Sequence, residues 1–322
     1  MHRNAPFLAA TAALAFAPLA TAQESASAEP AADLRREAVA DDMKYVLAGG
    51  YAHFFSADFD EGGGDAEVDR AFGSLRISGE PSETYSWDLG MQWEGSWYGF
   101  TDAGDLVAAA GGKPWDAVQS VSISPGANFV LSERWRATAR AFVQFSGEND
   151  ADAFDSMTFG GAAGAMYAFS PKFLLGGGVL VSSQLEDDPL VIPQLLVDWR
   201  PCAEFRLSNF AGPEAFPGGA GLEGIWTICE EFEVALGSRY TYRRFRLDDS
   251  GDPARSEGVG TDEGLPVWLR ATMRAKCGAR LDLVAGVQVM GEMSLDDRDG
   301  DRLEKTDVEG APFLGVFFSW KY

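Results

Sequence analysis

The 322-residue chain has few basic residues, cysteines and histidines, and no long apolar run beyond its first residues. Lysine and arginine number 26 against 49 aspartates and glutamates, which gives a formal net charge of −23. Because nucleic-acid binding needs clustered basic side chains, this balance argues against a nucleic-acid partner. After residue 22 no segment reaches the roughly 18 consecutive apolar residues of a membrane-spanning helix, so such helices are excluded there.

The first 22 residues have the pattern of a secretory signal peptide. Arg3 gives a positive start, residues 7–19 are apolar, and small residues precede a cleavage site after Ala22. The apolar run is too short for a membrane anchor. The sequence therefore predicts a signal peptide over 1–22, and the polar segment 23–42 is expected to be a disordered periplasmic lead-in.

A period of two runs through the remaining chain and is clearest over residues 85–97. The apolar positions there are Tyr85, Trp87, Leu89, Met91, Trp93 and Trp97, and they alternate with Ser86, Asp88, Gly90, Gln92, Glu94 and Ser96. Side chains alternate between the two faces of a strand, so one face is apolar and the other is polar and charged. Charges facing inward would disrupt a dry core but suit a water-filled lumen. This inversion predicts a membrane barrel rather than a soluble β-protein.

The same pattern recurs and predicts fourteen strands in all. They fall near 43–56, 67–78, 84–99, 117–131, 134–147, 156–169, 173–185, 189–199, 203–211, 219–229, 232–246, 264–276, 279–294 and 309–322. Three of these patterns, from 189 to 229, are weak, so twelve strands remain an alternative. Short turns alternate with longer acidic loops, as in bacterial barrels. The predicted fold is therefore all-β: a transmembrane antiparallel up-and-down β-barrel over 43–322.

Charged residues at the inward positions are the candidates for lining the lumen. They are Arg70, Arg76, Asp88, Glu94, Arg136, Arg140, Glu233, Arg239, Arg243, Arg270, Arg274, Asp282 and Glu292. A tight turn at Cys277 and Gly278 would place Arg274 opposite Asp282 as an ion pair. Fourteen strands leave more room than the eight whose lumen is filled by side chains, and less than the sixteen to eighteen of open porins. A narrow, charged water path for small solutes is expected.

The end of the chain resembles the C-terminal targeting signal of Gram-negative outer-membrane barrels. Its alternate residues are Leu314, Val316, Phe318, Trp320 and Tyr322, with tyrosine where phenylalanine is usual. The segments 124–129 and 132–135 resemble uncharacterised families of outer-membrane barrels, and similarity to transporter-like barrels of aromatic-degradation operons is fainter. The resemblance implies a barrel in the cell outer membrane, in contact with lipid and lipopolysaccharide and inserted by the barrel-assembly machinery. It implies no established substrate.

Cysteine and acidic-loop patterns give two weaker expectations. Cys202 and Cys229 fall at neighbouring strand ends and are candidates for a disulfide, which leaves Cys277 unpaired. The acidic loop at 296–301 has the look of a Ca²⁺ loop, but the twelfth position counted from Asp297 is Val308 rather than the required glutamate. Weak Ca²⁺ binding by this loop is therefore the only cofactor expectation, and no metal site is assigned.

Three functions are compatible with these features. A passive, narrow channel for small solutes with a charged lumen is the leading prediction. The alternative is a structural or surface-interaction barrel whose acidic loops bind cations and which carries no flux. An outer-membrane hydrolase is least favoured, because His53 is the single histidine after the signal peptide and no serine and acid motif accompanies it. No catalytic residue is assigned, and the chain is not predicted to be an enzyme.

Overall fold

The computed structural model describes residues 43–322 except 61–62, 102–103, 210–219, 250–252 and 254. The signal peptide and the lead-in predicted for 1–22 and 23–42 lie outside the described residues. The strands are β1 Lys44–Asp58, β2 Asp65–Ser82, β3 Tyr85–Thr101, β4 Ala117–Val130, β5 Trp135–Glu148, β6 Met157–Ser170, β7 Phe173–Gln184, β8 Asp187–Trp199, β9 Phe205–Ser208, β10 Ala220–Cys229, β11 Phe232–Arg246, β12 Val259–Arg274, β13 Ala279–Asp296, β14 Arg302–Val308 and β15 Ala311–Lys321. One short helix, α1 Asp105–Ala109, lies between β3 and β4.

The strands form one antiparallel sheet that closes on itself. Each strand from β1 to β13 pairs with the next, β13 pairs with β15, and β15 pairs with β1. β14 and β15 are two parts of one wall strand, because the pairs Gly291–Val308 and Gln288–Ala311 keep the same offset against β13. The described wall therefore contains fourteen strands. The predicted fold class, an antiparallel up-and-down barrel of fourteen strands, is confirmed.

The two faces of the wall have opposite chemistry. On β12, Leu269 is 65% exposed on the outside, whereas the next residue, Arg270, is 2% exposed inside. On β13, Leu283 is exposed while its neighbour Asp282 is buried. Apolar side chains outside and charged ones inside are the arrangement of a transmembrane barrel. Among the described residues, no helix is long and apolar enough to cross a membrane.

The ends of four strand segments leave the wall and lean across the barrel at the end that carries the long loops. We call these four segments, which are residues 241–246, 259–263, 291–296 and Arg302–Val308, the cap sheet. The end of the barrel that they cover is called the long-loop end, and the opposite end is called the short-turn end. The described ladder between β10 and β11 stops at the pair Ala220–Tyr240. Beyond it, Arg246 pairs in parallel with Gly147 of β5, which is not a neighbour of β11 in the wall. The cap sheet therefore covers the lumen.

Beneath the cap sheet lies a dry aromatic cluster. Phe245 of β11 is fully buried, and its ring centroid lies 5.3 Å from that of Trp115 and 6.2 Å from that of Tyr98. The loop that carries α1 folds inward, with Leu106 buried in the same cluster. The sequence predicted a charged lumen with a narrow water path, whereas this part of the lumen is apolar.

One predicted ion pair is wrong because the turn after β12 is centred on Cys277. Ala275 to Gly278 form the turn, with Gly278 at a positive φ of 84°. A turn centred there places Arg274 opposite Arg280 rather than Asp282. Asp282 instead lies 2.9 Å from the Arg280 guanidinium and 3.3 Å from that of Arg270.

Candidate functional site

Two cavities follow one another along the lumen. The first, which we call the mouth cavity, has a volume of about 330 Å³ and is lined at the short-turn end by residues that include Lys44, Glu80 and Lys321. The second, which we call the chamber, has a volume of about 210 Å³ and lies deeper, towards the cap sheet. Val46 and Arg76 line both cavities. The two cavities therefore adjoin at Arg76, and together they extend from the short-turn end to the middle of the barrel.

The junction between the cavities is built around Asp88. Its carboxylate lies 2.6 Å from Nη2 of Arg140 and 3.6 Å from Nε of Arg76. β4 passes between the strands that carry Asp88 and Arg140, and a Cβ at Gly126 would lie 2.5 Å from Arg140 Nη2. Glycine at this position therefore lets the buried arginine reach across β4 to its carboxylate. The junction therefore carries two cations against one anion.

A second ionic cluster lies on the wall formed by β10 to β13. The guanidinium of Arg270 is 2.7 Å from Glu223, 3.0 Å from Glu233 and 3.3 Å from Asp282. The indole of Trp268 also donates a hydrogen bond of 2.9 Å to Glu223. All of these side chains are buried, so Arg270 is a cation that three carboxylates share away from bulk water, while Arg274 and Arg280 add a second cation to Glu233 and Asp282.

Ion pairs across the lumen hold the cap sheet to the opposite wall. Arg243 of the cap sheet lies 2.5 Å from Glu94 of β3. Asp262 of the cap sheet pairs with Arg70 of β2 and accepts a hydrogen bond of 2.7 Å from Tyr98. β11 and β12 do not adjoin β2 or β3 in the wall, so these contacts can form only through the interior.

The structure places most of the predicted lumen residues on the inner side. Partnered in the interior are Arg70, Arg76, Asp88, Glu94, Arg140, Glu233, Arg243, Arg270 and Asp282. Arg239 stacks over Trp268 at 5.8 Å, Arg274 lies 2.9 Å from Glu233, and Arg136 pairs in register with the inward Met166. Their role in a solute path stays a prediction.

Glu292 is the exception among the predicted lumen residues. A bulge at Met290, which has a positive φ of 53°, adds one residue to β13 and exchanges the faces beyond it. Beyond the bulge, Glu292 therefore lies on the other face of β13 from the one that the alternation predicts, beside Glu263, and pairs with Lys305 of β14 at 2.5 Å. The sequence pattern could not reveal the extra residue, because the alternation of apolar and polar residues does not show where a bulge inserts a residue into a strand.

Glu223 and Asp262 are among the inward residues that the sequence prediction missed. Glu223 lies between the outward-facing Leu222 and Trp226, so its alternation pattern was present but short and interrupted by glycine. Asp262 fell in a segment that the sequence predicted to be a loop, whereas β12 already begins at Val259. Neither residue could be recognised without the partner that it meets across the barrel.

The other predicted sites are placed as follows. Leu314, Val316, Phe318, Trp320 and Tyr322 are all exposed on the outside, and their targeting role stays a prediction.

The cysteines Cys202, Cys229 and Cys277 are exposed free thiols, so the structure does not contain the expected disulfide between Cys202 and Cys229. The ladder between β9 and β10 ends at the pair Phe205–Trp226, before either cysteine is reached.

The acidic loop after β13 is organised around Asp297. Its Oδ1 atom accepts hydrogen bonds of 2.9 Å from the backbone amides of Asp299 and Asp301. In the part of the chain that the structure describes, no three His, Cys, Asp or Glu side chains are grouped to hold a metal ion. Weak Ca²⁺ binding by this loop stays a prediction.

Several solved structures with similar architecture are outer-membrane channels or transporters. An outer-membrane channel from Pseudomonas putida F1 shares 11% identity at a TM-score of 0.46, over 92% of this chain and 100% of the other. The toluene transporter TodX of Pseudomonas putida shares 11% identity at a TM-score of 0.42, over 88% of this chain and 90% of the transporter. The toluene transporter TbuX of Ralstonia pickettii shares 9% identity at a TM-score of 0.40, also over 88% of this chain and 90% of the transporter. TM-scores this low assign no solute to this chain. No protein-family model and no curated protein matches the sequence.

Proposed function

We propose that this protein is an outer-membrane channel through which small solutes pass passively. The observation that carries the proposal is the pair of cavities that meet at Arg76 within a closed barrel. Charged side chains around a narrow water path select solutes by charge and size. The cap sheet covers the long-loop end, so solute exchange at that end requires the cap sheet to move.

The proposal also includes the location of the protein, which is the outer membrane of the cell. A secretory signal over residues 1–22 would direct the chain across the inner membrane. The apolar exterior then matches a bilayer, and outer-membrane lipid and lipopolysaccharide are the expected surroundings. The outward alternate residues that end at Tyr322 are proposed to be recognised by the barrel-assembly machinery.

Neutralising the junction is expected to change ion selectivity. Arg76→Gln removes one of the two cations that face Asp88, so the permeability ratio of chloride to potassium should fall several-fold. The measurement is the reversal potential of single channels in a planar bilayer under a salt gradient. The matched control is Arg134→Gln, an exposed arginine in the turn before β5, which should leave the reversal potential unchanged.

A barrel without flux is the second candidate, and the closed long-loop end favours it. The discriminating result is conductance itself. Absence of channel events from correctly folded protein would remove the channel proposal and leave a structural or surface-interaction role. Equal reversal potentials in Arg76→Gln and wild type would show that ions do not pass this junction.

A further inference from the structure

Five uncharged polar side chains form a continuous row on the inner wall. In register, Ser74 of β2 pairs with Gln92 of β3, Gln92 with Ser122 of β4, Ser122 with Gln144 of β5, and Gln144 with Thr158 of β6. We call these five residues the polar row. Neighbouring strands lie about 4.8 Å apart, so the row extends over roughly 19 Å at one level of the barrel. All five residues line the chamber.

The polar row has hydrogen-bonding capacity that the protein does not use. Among the described residues, none of these five side chains forms a hydrogen bond with another protein group. The next level towards the cap sheet differs, because Ser120 and Ser146 bond to each other at 2.6 Å. A glutamine offers both donors and an acceptor, and a serine or threonine hydroxyl can act as either. The row therefore presents alternating donors and acceptors to whatever occupies the chamber.

An apolar patch forms another part of the chamber lining. Phe142, Leu180, Leu190 and Tyr242 belong to one hydrophobic cluster and also line the chamber. The hydroxyl of Tyr242 is occupied by a hydrogen bond of 3.0 Å from Gln184, so its ring is held in place. The chamber thus has a hydrogen-bonding side and an apolar side.

Beyond the junction at Arg76, the charges that border the chamber are matched with one another. Arg243 lies 2.5 Å from Glu94, and Arg244 lies 2.7 Å from Asp296. A charged solute would have to compete with these pairs, whereas a neutral one would leave them intact. The groups left for a solute are the uncharged polar row and the apolar patch.

We propose that the chamber is a binding site for neutral, ring-shaped polyhydroxy solutes of monosaccharide size. The hydroxyl groups at one edge of the ring would bond to the polar row, and the C–H face would pack on the apolar patch beside Phe142 and Tyr242. The chamber volume of about 210 Å³ is below the range of roughly 300–1,000 Å³ that is usual for drug-sized ligands, which favours a small solute. This inference rests on the proposed channel only for the way in which the solute arrives.

The polar row also argues against a purely apolar solute. An apolar ring would displace water from the amides and hydroxyls and supply no partner, at a cost of about 1–3 kcal/mol for each group left unpaired. A site that bonds to hydroxyl groups discriminates strongly against an analogue that lacks them. The chamber should therefore prefer a sugar to a hydrocarbon ring of the same size.

The test is direct binding of D-glucose to the purified full-length barrel in detergent micelles, followed by saturation-transfer NMR. Wild type should bind D-glucose in preference to toluene and to the anion gluconate. Gln92→Met and Gln144→Met keep the side-chain length and remove the hydrogen bonds, so each should weaken D-glucose binding about tenfold. The matched control is Gln119→Met, because Gln119 faces outward and bonds to the indole of Trp93.

Folding of each variant is checked by the retention of its heat-modifiable band on a gel. The inference is overturned if toluene or gluconate binds as tightly as D-glucose, or if both row variants bind D-glucose like wild type. Binding in micelles needs no transmembrane flux. A barrel that binds D-glucose without conducting would therefore contradict the channel proposal and leave the chamber assignment standing.

Discussion

Replacing Arg270 by methionine is expected to lower the free energy of unfolding of the barrel by about 3–5 kcal/mol, which is the usual effect of breaking a buried ion pair from one side. The guanidinium of Arg270 forms ion pairs with Glu223, Glu233 and Asp282 at distances between 2.7 and 3.3 Å. Methionine fills a similar length of the cavity but removes the cation that the three buried carboxylates share. Glu233 then keeps Arg274, Asp282 keeps Arg280, and Glu223 keeps its hydrogen bond from Trp268. The measurement is equilibrium unfolding by urea in lipid vesicles.

Two further variants identify the cause of this loss. Arg134→Met removes an arginine from an exposed turn and should change the free energy of unfolding by less than about 0.5 kcal/mol. Adding Glu223→Gln and Glu233→Gln to Arg270→Met removes two of the carboxylate charges that had shared Arg270, so stability should be partly restored. If the triple variant is no more stable than Arg270→Met, loss of packing rather than charge explains the effect.

Releasing the cap sheet is expected to raise the open probability of the channel several-fold. Phe245 is fully buried between the cap sheet and the rings of Tyr98 and Trp115. Phe245→Ala is expected to weaken the docking of the cap sheet by about 3 kcal/mol, the lower end of the usual cost of replacing a buried phenylalanine by alanine. A loss of that size raises the ratio of released to docked cap sheet roughly a hundredfold. The measurement is the open probability of single channels in a planar bilayer.

The control for this prediction is a phenylalanine on the outside of the wall. Phe159 of β6 is 58% exposed, and Phe159→Ala should leave the open probability unchanged. An open probability that is equal in Phe245→Ala, Phe159→Ala and wild type would mean that the cap sheet does not limit passage through the barrel.

The strands of the wall could be predicted from sequence because lipid imposes a simple rule. An outward residue must be apolar and an inward one need not be. The residue types of Leu269 and Arg270 alone therefore indicate which face of the strand each of them occupies. The same rule also contained a signal for the cap sheet. Arg243 and Arg244 are adjacent and must point to opposite faces of β11, so neither face of that segment can lie against lipid. Adjacent charges within a strand thus mark where it leaves the wall.

Other features could not be predicted because they depend on partners distant in sequence. The carboxylate of Asp262 meets Arg70, which is 192 residues away along the chain. The bulge at Met290 moved Glu292 to the other face, and the four-residue turn before Ala279 shifted Arg274 away from Asp282. Strand alternation specifies which residues share a face, whereas the lumen contacts depend on register and on the direction in which each strand end leans.

The account depends most directly on the separation of an apolar outer face from an aqueous interior. A fluorescent probe is attached to a cysteine placed at Leu269 or at Gln144, with the three native cysteines replaced by serine. The protein is then reconstituted in vesicles whose acyl chains carry bromine. Bromine should quench the probe at Leu269 and leave that at Gln144 bright, while aqueous iodide should do the reverse. Quenching of Leu269 by iodide and of Gln144 by the brominated chains would contradict the account.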